Sequence, residues 1–171
     1  DSLSNARQNA DIGGEPPLRP WQGALRPLAR IAARAVLFLS RFITDAQIGS
    51  EVEALIRLVQ RVYGDFGLEY TAKLSTRPEK FLGEVATWDL AEAGLRAALE
   101  RAGQPYDLNE GDGAFYGPKI DFDITDALGR KWQCGTIQLD YQLPRQFDLK
   151  YVGADNAEHR PVVVHRAIFG S

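Results

Sequence analysis

The sequence predicts a fold that mixes helices and strands, on three observations: two stretches with apolar residues at helical spacing, an alternating hairpin at 118–142, and an apolar strand near the end of the chain. One core is expected. The chain has 171 residues, 44% of them hydrophobic, which suffices for one globular unit or for part of a larger one. Its formal charge of -3 carries no nucleic-acid or membrane signature, so any RNA contact has to be local. A single cysteine, Cys134, excludes an intrachain disulfide and points to a reducing, cytoplasmic setting. Two histidines and that cysteine cannot alone complete a four-ligand zinc site. No apolar run is long enough to span a bilayer, so no membrane partner is expected.

Residues 1–22 hold Gly13-Gly14, Pro16-Pro17 and Pro20 among polar residues, and read as a flexible arm ahead of a folded part at 23–171. Thr44 and Gln47 have capping-box spacing, and Ile48, Val52, Leu55, Val59 and Val62 form one stripe, which predicts a helix over 45–64 ended by Gly64 and Gly67. Residues 68–75 alternate as a strand before Arg77-Pro78. A second helix is predicted from Thr87 to near Gly103, with Trp88, Ala91, Leu95, Ala98 and Leu99 inward. Ile120, Phe122 and Ile124 alternate with Asp121, Asp123 and Thr125, the chain turns at 126–129, and a return strand runs from Lys131 to Tyr141. The last strand is predicted at 162–169.

Chemistry can sit in three places. The segment Gly111-Asp112-Gly113-Ala114-Phe115-Tyr116-Gly117-Pro118-Lys119 permits close backbone approach and offers a phenol at Tyr116 and a cation at Lys119. It also reads as a plain glycine-rich turn. On the return strand, Thr136 and Gln138 share one face, and Gln133 joins them only if the strand bulges at Gly135. A bulge is therefore predicted there. His165, alone in an apolar strand, reads first as a satisfied core histidine, Cys134 as a small buried hydrophobe, and Asp121 and Asp123 as hydrogen-bonding partners within the hairpin.

Four strings, residues 74–80, 111–122, 132–140 and 165–171, closely resemble the threonyl-tRNA synthetase family, and the resemblance runs from about residue 43 to 171. It implies an α+β fold: an incomplete antiparallel sheet flanked by helices, like the catalytic domain of class II aminoacyl-tRNA synthetases. It also implies ATP-dependent activation of threonine and transfer to its tRNA, with threonine, ATP and magnesium, and that tRNA as partners. Carried over by position, Tyr116, Thr136 and Gln138 match threonine-site residues, Gln133 and Lys119 face the nucleotide and the reacting end, Arg30 keeps an ATP-phosphate role, and His165 matches one zinc ligand. In that family zinc selects threonine, because a hydroxyl can ligate the metal and the methyl of valine cannot.

The sequence departs from the family upstream of Thr44. Aligned without gaps, Ser40 stands at the position of a zinc-binding histidine, Val36-Leu37-Phe38 replaces a Gln-Asp-Asp run, and Arg34 replaces an aromatic residue. Zinc is expected from the family but not from this chain alone. The family forms homodimers through a motif that this sequence does not match. The alternative reading is a synthetase-like remnant that binds tRNA or protein without catalysis.

Overall fold

A computed structural model describes residues 39–169, residue 39 by its backbone only. The arm at 1–22, Arg30 and the departures at 34–38 lie outside the described residues. The strands are β1 (Leu39–Ile43), β2 (Tyr70–Ser75), β3 (Tyr106–Asn109), β4 (Lys119–Thr125), β5 (Lys131–Asp140), β6 (Tyr151–Val152), β7 (Glu158–His159) and β8 (Val162–Ala167). The helices are α1 (Ile48–Asp65), α2 (Val85–Arg101) and the short α3 (Gln142–Gln146).

Six strands form one sheet in the order β1-β8-β5-β4-β2-β3, antiparallel except for the β2–β3 pair, while β6 and β7 form a separate hairpin. Side chains alternate across that sheet, so each strand supplies both faces. Ala72, Leu74, Ile120, Phe122, Ile124, Ile137, Leu139, Val162 and Val164 pack with the stripes of α1 and α2 into one core. Their alternates build a polar second face: Lys73 and Ser75, Lys119, Asp121 and Asp123, Thr136, Gln138 and Asp140, and His165.

Both long helices bury the stripes read from the sequence, namely Val52 and Val59 on α1, with Leu55 and Val62 partly buried at its edge, and Trp88, Ala91, Leu95, Ala98 and Leu99 on α2. The Gln47 side chain reaches back to the Thr44 amide, as the capping spacing requires, but its first turn is a 3-10 turn at Asp45–Gln47. Gly64 lies inside α1 and does not end it. Termination belongs to Gly67, whose φ of +63° lets Leu68 N–H turn back to the Tyr63 carbonyl at 2.9 Å. Three other boundaries shift by two residues: β2 starts at Tyr70, α2 starts at Val85, and β8 ends at Ala167.

Candidate active site

The hairpin β4–β5 builds the centre of the polar face. Phe122 pairs with Gly135 and Asp123 with Gln133, so Cys134 is the extra residue of a β-bulge. That bulge turns Gln133 onto the face of Thr136 and Gln138. Gly135 is required there, because a Cβ would lie 2.6 Å from Tyr63 Oη and 3.3 Å from the Ile168 carbonyl. The glycine segment is drawn against β5 and the end of β2, with the Pro118 carbonyl accepting from Leu139 N–H at 3.1 Å and the Thr76 carbonyl accepting from Gly113 N–H at 2.7 Å. A side chain at Gly117 would overlap the Leu139 carbonyl, so close backbone approach accounts for this glycine.

These constraints bring the expected side chains into one network. Lys119 Nζ donates to Asp121 Oδ2 at 2.6 Å, while Gln133 Nε2 and Thr136 Oγ1 donate to Asp121 Oδ1 at 2.8 and 3.0 Å. Gln138 Nε2 donates to Thr136 Oγ1 at 3.3 Å, and the Tyr116 hydroxyl donates to Gln138 Oε1. Tyr116 then meets His165 edge to face, with ring centroids 5.8 Å apart. Six of the seven candidate residues are thus contiguous; Arg30 is outside the described residues.

Asp121 is the side chain that sequence reasoning underrated. It is 3% exposed and has four donors, since Ser75 Oγ also reaches Oδ2 at 3.1 Å. Its shared parity with Lys119 was the available signal. Burial pushes the Lys119 ammonium pKa down, but the hydrogen bond and charge of Asp121, with Asp112 at 3.3 Å, push it up further, so it lies above the ordinary lysine value. Lys119 stays a pinned cation. Burial, then the charge of Asp140, raises the Tyr116 phenol, which keeps its proton for Gln138.

His165 is buried and has a polar partner on each ring nitrogen. Nε2 lies 3.0 Å from Asp140 Oδ2, and Nδ1 lies 2.7 Å from Ser40 Oγ. Asp140 is held in turn by the amides of Gln142 and Leu143, whose donation caps the start of α3. Because a carboxylate only accepts, a neutral His165 carries its proton on Nε2 and accepts the Ser40 hydroxyl at Nδ1. Cys134 is half-buried against the core, and His159 is an exposed partner of Asp155.

The model for the tRNA synthetase class II core domain (G, H, P, S and T) matches residues 22–171. The chain belongs to this class II synthetase core family. Its relatives include the threonine–tRNA ligase of Symbiobacterium thermophilum, 59% identical over 76% of this chain and 20% of that protein. The threonine–tRNA ligase of Myxococcus xanthus is 57% identical over 87% of this chain and 23% of its own length. The chain therefore spans about a fifth to a quarter of the length of these relatives. A crystal structure described as the RNA-binding domain of threonyl-tRNA synthetase from Cryptosporidium parvum superposes with a TM-score of 0.75 at 46% identity, covering 77% of this chain and 34% of that one. These relatives place the class II synthetase core seen here with threonyl-tRNA synthetases, as the strings in the sequence imply.

The zinc that this family implies does not fit the residues in view. Among the described residues no three His, Cys, Asp or Glu side chains come together as a ligand set. His165, which the resemblance matches to a zinc ligand, faces Ser40 and Asp140. No helix of the described residues is long and apolar enough to cross a membrane.

Proposed function

We propose that this chain is the later part of a threonine–tRNA ligase catalytic domain, and that the polar sheet face takes threonine and ATP. In that reaction the threonine carboxylate attacks the α-phosphorus of ATP and expels pyrophosphate, after which a terminal ribose hydroxyl of tRNA attacks the adenylate carbonyl and AMP leaves. Neither step needs a protein nucleophile, so positioning and charge carry the catalysis. Tyr116, Thr136 and Gln138 line the threonine side, Gln133 faces the nucleotide, and Lys119 offsets charge on the reacting phosphate, with Arg30 assigned the phosphates from upstream. Magnesium would accompany the nucleotide; no three-ligand cluster among the described residues is assigned to it. The observation that carries this reading is the bulge at Cys134, which aligns Gln133 with Thr136 and Gln138 as a nucleotide-and-amino-acid wall requires.

Ser40 beside His165 favours a second reading, a synthetase-derived module that binds tRNA without activating threonine. Threonine-dependent exchange of pyrophosphate into ATP separates the two. Exchange that requires threonine supports the ligase reading; tRNA binding without exchange supports the module.

A further inference from the structure

We propose that Asp121 is a positioning residue that sets the direction of the hydrogen-bond chain across the candidate site. An ionised carboxylate has only acceptors to offer, so every neighbour must donate to it. Thr136 spends its only hydroxyl proton on Asp121 Oδ1, at 3.0 Å, and can then only accept from the next group. That group is Gln138, which must turn its amide nitrogen toward Thr136 and its oxygen toward Tyr116. Tyr116 is left as a donor to Gln138, with its remaining oxygen lone pairs available as acceptors. The same carboxylate holds Gln133 by its amide nitrogen at 2.8 Å, which leaves Gln133 Oε1 as the atom for a ligand.

One buried charge thereby decides the orientation of two amides and one phenol. The face offers acceptors at Tyr116 and Gln133 beside the fixed cation of Lys119. This deepens the proposed function and rests on it for the ligand's identity: an acceptor wall suits the ammonium and hydroxyl of an amino acid, and a cation suits a phosphate. Asparagine at 121 has one acceptor oxygen where the carboxylate has two; with that oxygen turned to the Lys119 ammonium, its NH2 faces Gln133 and Thr136, both of which must then reverse, and Lys119 loses its buried counter-charge.

The test uses the full chain and reads side-chain amide hydrogen exchange by NMR, with exposed Gln146 as internal reference. Asp121→Asn is expected to speed exchange at Gln133 and Gln138 by about tenfold while Gln146 is unchanged. Thr136→Val cuts the chain between Asp121 and Gln138, and is expected to release Gln138 while Gln133 stays protected. A purely structural role would loosen both amides together. If Asp121→Asn does not fold, Thr136→Val decides alone: equal responses at Gln133 and Gln138, or none, overturn the proposal. Titration with a non-hydrolysable sulfamoyl analogue of threonyl-adenylate tests the underlying reading separately. Absence of binding to the wild-type chain counts against the proposed function and leaves the exchange result standing. Binding weakened about tenfold by Asp121→Asn supports both, and unchanged binding counts against Asp121 as the organiser.

Discussion

Ser40 and His165 are register partners in the β1–β8 ladder, and the Ser40 hydroxyl lies 2.7 Å from His165 Nδ1. Side chains at these two positions share one face of the sheet, and the serine meets the ring through a hydrogen bond. Asp140 engages the opposite nitrogen at 3.0 Å, so the ring is held from both sides by polar side chains.

Zinc binding is the first consequence. The full chain, equilibrated with micromolar zinc and then dialysed, is expected to retain far less than one metal per chain. Metal analysis finding about one tightly held zinc would sink this.

The bulge gives a stability prediction. Gly135→Ala forces a methyl group to within 2.6 Å of Tyr63 Oη and is expected to cost about 1–3 kcal/mol in urea unfolding. Tyr63→Phe removes the donor to the buried Ile168 carbonyl and should cost about 1–3 kcal/mol. Because phenylalanine also removes the clashing oxygen, the double variant should be less destabilised than the summed singles. Strict additivity would mean that the alanine is accommodated elsewhere.

Phe122 lies fully buried between Tyr63 and Tyr70, with ring centroids 6.4 and 6.0 Å away. Phe122→Ala is expected to cost about 3–5 kcal/mol, enough to populate unfolded chain at room temperature. Leu128, 76% exposed at the hairpin tip, should tolerate alanine within about 0.5 kcal/mol. Thermal unfolding of the two variants checks the contrast.

Acid should loosen the hairpin turn as pH falls through about 2. The Trp132 indole, then the Arg130 amide and side chain and the Leu128 amide, hold the exposed Asp126 carboxyl down to about 2. A depressed folded-state pKa contributes stability above the ordinary aspartate value, and that contribution disappears as pH falls through about 2. A carboxyl NMR titration should give Asp126 a midpoint near 2 in the folded chain. In Asp126→Asn, Trp132 fluorescence should lose its response across this range; an unshifted wild-type midpoint near 4 would refute the turn geometry.

Periodicity made the long elements legible. The stripes of α1 and α2 and the alternation of β4 need only local spacing, and the bulge followed from one glycine beside a residue of the wrong parity. β1 was not read because Arg41 and Ser40 break its apolar pattern and its pairing partner is 125 residues away. β3 has no local signature because no residue of Tyr106–Asn109 is fully buried and the strand is held by parallel pairing to β2, a tertiary relationship. The short β6–β7 hairpin and α3 are likewise set by contacts: α3 starts where Asp140, already committed to His165, caps it.

Within the site, the residues named by family strings were legible and their organiser was not. Asp121 looks like any hairpin carboxylate in the sequence. Only the pairing of Asp121 with Thr136, and the fold that lays Lys119 and Ser75 beside it, gives it four donors at once.

The pleat of β5 works as a partition between two kinds of selection. Ile137 and Leu139 answer to the helices behind the sheet, whereas Thr136 and Gln138, alternating with them, answer to whatever sits in front. Substitution on the front side leaves the hydrophobic contacts behind in place, so the two faces of one strand can change independently.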